Sequence, residues 1–298
     1  MIVDHARGRV WLDARDHGDP PGLALLDPGA GTVEPVPEFS GHHVVGLSAD
    51  GTLLALAGDV VAYGTNKSDL VVRHVPTGEV RLRTRRHLVY AVAFAPDGGH
   101  ALVEAYNSRP RRYRLAGEDQ DLGPVRAGFR MYAGEQDPVS GRFVAPAEKG
   151  RLLATDIGAG DVEDVRLPLT ASVGAVRFSP DGKHVFTADH EDVVTCFTRD
   201  WSPVWRTSFA GLPDEPSGIW SGGLFVPSGG GLVGVSAGET KANGWGTDYV
   251  LDAADGRLLR RIENYQGRGR IKTAYLGTRV LLHGGFELDL HTGELGRR

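Results

Sequence analysis

Four short polar stretches carry the side chains best suited to hold a ligand. Tyr63, Asn66 and Lys67 form one, Tyr106, Asn107 and Arg109 a second, Asp189 and His190 a third, and Lys241, Asn243 and Trp245 a fourth. Trp220 lies between the last two. Aromatic rings and arginine are the side chains that anchor interfaces, and Lys67, Arg109 and Lys241 could select an acidic group or a peptide C-terminus. Carboxylates offer a different chemistry. Glu104, Glu135 and Asp189, with the amide of Asn107, could ligate a divalent cation that activates water or acidifies a proton beside a carbonyl. Without such an ion these residues require no cofactor. Asp189, His190, Glu191 and Asp192 are consecutive and cannot all point at one ion, so that stretch reads as a solvated turn.

These stretches lie between copies of a repeat. SADG at 48–51, APDG at 95–98 and SPDG at 179–182 recur, with weaker copies PVSG at 138–141 and PSGG at 227–230. Gly8, Gly51, Gly98, Gly141, Gly182, Gly229 and Gly277 mark the units at intervals of 41–48 residues. That period predicts an all-β fold: a single seven-bladed β-propeller over residues 1–298, made of four-stranded antiparallel blades, with six or eight blades as the alternatives. Blade limits fall at 1–39, 40–84, 85–122, 123–167, 168–207, 208–262 and 263–298. Unit 173–200 shows the plan, with Val173, Val176 and Phe178 before the turn, then HVFTAD (184–189) and VVTCFT (193–198). Asp-Gly suits the turn because glycine reaches positive φ without a Cβ clash and aspartate accepts a backbone hydrogen bond. A second marker, aspartate with glycine four residues on, recurs at Asp27, Asp156, Asp252 and Asp289, and His74–Gly78 keeps the spacing. On this alignment Glu135 occupies the place of Val92 and Val176, on an innermost strand beside the channel. Glu104 ends a second strand where the next clear unit has Asp189.

The pairing of V-x-x-V-x-F-S-P-D-G with a later D-x-x-x-G resembles the WD-repeat β-propeller family along essentially the whole chain. The markers are degenerate, as in bacterial members of the wider class: Leu26, Arg73, Thr155, Leu251 and Leu288 stand where the family places tryptophan. A Gly-His pair, Gly41-His42, is out of register with the turn. The resemblance implies that the SPDG-type and D-x-x-x-G turns share one face of the ring. Loops between second and third strands, and links between blades, would share the other. There the long segments gather: 15–22, 58–69, 106–111, 209–220, 237–248 and 264–272. Loop length costs little closure entropy, and loops on a rigid scaffold commonly carry binding residues. The resemblance thus implies a binding scaffold that presents the long-loop face and channel mouth to a peptide, a protein or a small molecule. The alternative is an enzyme similar to propeller lactonases and lyases, or one of specialised metabolism, using channel-mouth carboxylates.

Other chemistries are excluded or weakened. A net charge of −5 and a pI near 6.1 argue against a nucleic-acid backbone binder. Cys196 is the one cysteine, so no intrachain disulfide forms, and its apolar neighbours suggest an inert core thiol. The first residues, MIVDHARGRV, lack the apolar centre of a signal peptide. No run approaches the roughly 20 apolar residues of a membrane span, so a cytoplasmic protein without a membrane partner is expected. Gly234-Val235-Ser236-Ala237-Gly238 matches G-x-S-x-G, but no helical pattern follows to make a nucleophile elbow. Arg81, Arg83 and Arg85 have strand spacing and should share one face of an outer strand, where charge deters edge-to-edge pairing.

Overall fold

The computed structural model describes residues 2–4, 6–12, 23–39, 41–62, 65–106, 108–117, 120–125, 134–209, 219–227, 229–237, 247–263, 274–276, 279–282, 286–289, 292 and 295–297. Within them every sheet is an antiparallel meander of four strands, and seven such sheets follow one another along the chain. Blade 1 holds β1 (Ile2–Asp4), β2 (Arg9–Leu12), β3 (Leu23–Asp27) and β4 (Thr32–Val36). Blade 2 holds β5 (His42–Leu47), β6 (Leu53–Ala62), β7 (Thr65–His74) and β8 (Val80–His87). Blade 3 holds β9 (Val89–Phe94), β10 (His100–Ala105), β11 (Arg111–Arg114) and β12 (Asp121–Pro124). Blade 4 holds β13 (Glu135–Gln136), β14 (Phe143–Pro146), β15 (Arg151–Thr155) and β16 (Val162–Arg166). Blade 5 holds β17 (Val173–Phe178), β18 (His184–Asp189), β19 (Val193–Thr198) and β20 (Pro203–Ser208). Blade 6 holds β21 (Ile219–Phe225), β22 (Leu232–Ala237), β23 (Thr247–Asp252) and β24 (Leu258–Glu263). The last sheet holds β25 (Ala274–Leu276), β26 (Arg279–Leu282), β27 (Phe286–Asp289) and β28 (Leu295–Arg297).

The expectation of seven blades is corrected here to six with a described side-chain core. Buried side-chain clusters join blades 1 to 6 in sequence. The last sheet is described by its backbone pairing, and no such core links it among the described residues. At the seam β1 lies against both β5 and β25. The first and last sheets each keep four strands of their own, so no N-terminal strand completes the final blade.

The cores follow from the period of two. In blade 3, Val92, Phe94, Ala101 and Val103 pack on blade 2, while Ala93 and Leu102 pack on blade 4. Blades 2 to 5 thus carry apolar cores on both faces, as stacked blades require. The turn markers behave as their chemistry suggests. In SPDG the Ser179 hydroxyl bonds to Asp181 at 2.7 Å, the Lys183 amide donates to the same carboxylate at 3.1 Å, and Gly182 sits at φ +67°. In the second marker the Gly256 amide donates to the Asp252 carbonyl at 2.9 Å with φ +73°. Because each blade is a meander, both markers leave at one end, the turn face. Turns between second and third strands, and links between blades, leave at the other, the loop face. No helix among the described residues is long and apolar enough to cross a membrane.

Candidate binding site

At the loop-face junction of blades 2 and 3 three rings meet. His87 ends β8, Tyr90 is the second residue of β9, and Tyr106 follows β10. The His87 and Tyr106 rings stack with centroids 5.5 Å apart and planes at 24°, and Tyr90 meets Tyr106 edge-on at 6.2 Å and 74°. Tyr90 is 47% exposed and Tyr106 43%. Two backbone features hold these rings outward. Ala105 pairs with Val89 and Glu104 with Ala91, so Tyr90 is the unpaired residue of a β-bulge that turns it out of the blade seam. Blade 5 has the same bulge in the same register, occupied by Gly174. Next to it Leu88 adopts φ +34°, which lets the chain pass from β8 to β9 in one residue. The Tyr106 amide donates to the carbonyls of His87 at 3.0 Å and Leu88 at 2.9 Å, and the Val89 amide to the buried Ser68 hydroxyl at 3.2 Å. A non-glycine residue in this region costs about 1–3 kcal/mol and persists only where its surroundings enforce it.

Segment 58–69, expected as a loop, is a paired hairpin. β6 and β7 stay in register out to Ala62 and Thr65, well past the neighbouring blades, so Asn66 and Lys67 lie on a strand. Alternating pairs continue through this stretch because its β-branched and small residues sustain a ladder that loop-like composition concealed. Lys67 stands directly opposite His87. Of the residues singled out from the sequence, Lys67 thus lies on a strand position facing His87, Tyr106 belongs to the ring cluster, and exposed Arg109 lies between β10 and β11 of the same blade. Exposed His190 lies on the loop-face turn of blade 5, two blades away. Trp220, expected in an inter-blade link, belongs to strand β21. Tyr63, Asn107, Lys241, Asn243 and Trp245 lie outside the described residues.

The carboxylates occupy different seams. The Asp137 amide bonds to the Arg142 carbonyl and the Ser179 amide to the His184 carbonyl, so the two turns are equally long, but the glycine of blade 4, Gly141, comes one residue later in its turn than Gly182. Glu135 therefore aligns with Arg177, not Val176, and the one-residue slip moves it to the other sheet face. There its Oε2 accepts from the Phe178 amide of blade 5 at 2.5 Å. Glu104 matches Ala188 rather than Asp189 and lies, buried, on the face turned to blade 4. Asp189 faces blade 4 from the opposite side; its Oδ1 accepts from the amides of Glu191 at 2.9 Å and Val193 at 3.1 Å, and its Oδ2 is buried without a partner. Burial raises the Asp189 pKa. Phe178, at Glu135, pairs with Val185, four residues and so roughly 13 Å from Asp189 along β18. One ion cannot bridge them. Among the described residues no group of three or more His, Cys, Asp or Glu side chains is placed to hold a metal.

Burial raises the Glu135 pKa, and Arg177 and the Phe178 amide do not offset it. A raised carboxyl stabilises the fold fully below its ordinary value of 4.5, and the contribution is lost as pH rises through the folded value. Glu135→Gln keeps an acceptor for Phe178, so it should equal or exceed the parent in stability at pH 7 and lose that advantage at pH 4. Glu135→Ala orphans the amide and should cost about 1–3 kcal/mol. Urea melts at the two pH values test both.

Three other readings are placed by the structure. Ser236 of the G-x-S-x-G match lies within strand β22, paired with Asp248, so no strand–turn–helix elbow forms there. Cys196 is buried in the seam of blades 5 and 6, which pushes its thiol up to about 12. Arg81 leaves the stripe it was expected to share with Arg83 and Arg85. Leu82 pairs with Val72 and Val80 with Arg73, so Arg81 is the extra residue of a bulge.

A feature missed by sequence reasoning lies on the turn face. A cavity of about 740 Å³ runs across the first turns of blades 2, 3 and 4, bounded by Asp50, Asp97, Gln136 and Val139, and reaches Arg81 on the outer strand of blade 2. The repeated aspartates were legible. That three neighbouring turns would enclose a space depends on blade spacing, which no local pattern encodes.

No family model and no curated protein sequence matches the chain. Solved structures do. The β-propeller domain of Myceliophteria thermophila Cps50 (Swd1) is similar at a TM-score of 0.60 and 13% identity, over 93% of this chain and 90% of that one. The WD40 domain of Toxoplasma gondii coronin is similar at 0.58 and 14%, over 85% and 68%. At these identities the likeness establishes the fold, that of WD40 β-propeller domains.

Proposed function

We propose that the protein is a binding scaffold whose loop face captures a peptide or protein partner at the junction of blades 2 and 3. The observation that carries this reading is the exposed, mutually packed cluster of His87, Tyr90 and Tyr106, built on a bulge and a strained turn. Two large rings held half-exposed by backbone geometry, once covered by a partner, would supply the apolar anchors of an interface. Lys67, whose strand position is opposite His87, would favour an acidic group or chain terminus beside those anchors. The fold shared with WD40 domains supports a scaffold role by analogy.

Peptides selected from a random display library on the immobilised full chain provide the test. Tyr90→Ala and Tyr106→Ala should each weaken a selected peptide at least tenfold, about 1.4 kcal/mol, with the melting temperature unchanged within a few degrees. Retained affinity in both variants would remove this site.

A further inference from the structure

The turn-face cavity is a second site, independent of the loop-face reading. Its floor is apolar, made by buried Leu53, Phe94 and Leu115, and exposed Val139 stands at its rim. Its polar groups are unevenly satisfied. Asp137 is neutralised by Arg199, whose two nitrogens reach it at 2.9 and 2.7 Å. Asp50 and Asp97 accept hydrogen bonds within their own turns but have no ion-pair partner among the described residues. The cavity thus holds unbalanced negative charge over an apolar floor. Arg81 lies at the far end: its Nη2 pairs with Glu79 at 3.0 Å, while its Nε is buried with no acceptor. The bulge in β8 is what brings Arg81 out of the outer-edge stripe.

The groove runs from β13, the innermost strand of blade 4, to β8, the outermost strand of blade 2, so an occupant that fills it is extended. We propose that this groove binds an extended peptide segment carrying a lysine or arginine, its cationic group at Asp97 and Asp50 and its apolar part over Leu53, Phe94 and Leu115. A small cation alone would leave that apolar floor uncovered. An acidic segment would meet the two unpaired carboxylates.

The test uses the isotope-labelled full chain and acetylated, amidated tetrapeptides identical except for Arg, Lys, norleucine or Glu at one position. The Arg and Lys peptides should shift the amide signals of Gly98, Gly99 and Gly141, and norleucine should bind at least tenfold more weakly. Asp97→Asn, which keeps an acceptor for the Gly99 amide, should weaken the Arg peptide at least tenfold. Should that variant fold poorly, Val139→Lys places a repelling charge on the exposed rim and should weaken the same peptide at least fivefold. Tyr106→Ala should leave this binding unchanged, which separates failure here from failure of the loop-face site. Equal binding of norleucine, no shift at millimolar peptide, or methylguanidinium binding as tightly as the peptide would overturn the proposal.

Discussion

Gly46→Ala is expected to destabilise the protein by about 3 kcal/mol or more, at the upper end of overpacking costs. Gly46 lies on β5, the innermost strand of blade 2. A Cβ there would stand 2.2 Å from the Val92 carbonyl oxygen and 2.9 Å from the Val92 Cβ. The obstacle is the backbone of β9, which is itself fixed by pairing with β10, so neither strand can retreat without opening the seam. Gly174→Ala is the control: its nearest neighbours begin at 3.5 Å, an ordinary contact, and the change should be near neutral. Differential scanning calorimetry of the two variants distinguishes a steric seam from a general dislike of alanine. Because Val92 lies two residues from Tyr90, Gly46→Ala should also disturb the aromatic cluster.

Asp137→Ala should cost about 2–3 kcal/mol, since it frees the Val139 amide, the Ser140 hydroxyl and the Arg199 guanidinium together. This ion pair ties the first turn of blade 4 to the third turn of blade 5. Burial alone would raise the Asp137 carboxyl, but Arg199, Ser140 and Val139 outweigh it and hold its pKa below the ordinary 3.8. A depressed carboxyl contributes stability that is present above the ordinary value and is lost as pH falls through the folded one. Asp137→Asn should therefore trail the parent at pH 6, and the gap should close below about pH 3.8. Denaturant melts at several pH values give the result, and a gap that widened in acid would contradict it.

The fold was legible because its markers act locally. Ser179, Asp181 and Gly182 close their turn with bonds inside six residues, so the pattern survives in the sequence without any neighbour. Register is not local in this sense. Glu135 was placed one position off because Gly141 comes one residue later in its turn than Gly182 does, and counting from a glycine cannot reveal that. Glu104 and Asp189 were equated although they sit on opposite sheet faces. The β6–β7 hairpin was hidden because Gly58, Gly64 and Asn66 look like loop residues, yet most of the stretch pairs. Of the proposed site, Tyr106 was singled out from residue type alone. Tyr90 and His87 were not, since their exposure depends on a bulge and on the turn at Leu88, both set by pairing with β10.

The central claim is that the rings at the junction of blades 2 and 3 meet the partner. The direct measurement is a titration of the isotope-labelled protein with a selected peptide, following assigned backbone and aromatic signals. The account predicts the largest shifts at His87, Tyr90 and Tyr106, with the blade 5 turn at His190 unmoved. Shifts concentrated at His190 or along outer strand β20, with the two tyrosines silent, would contradict it.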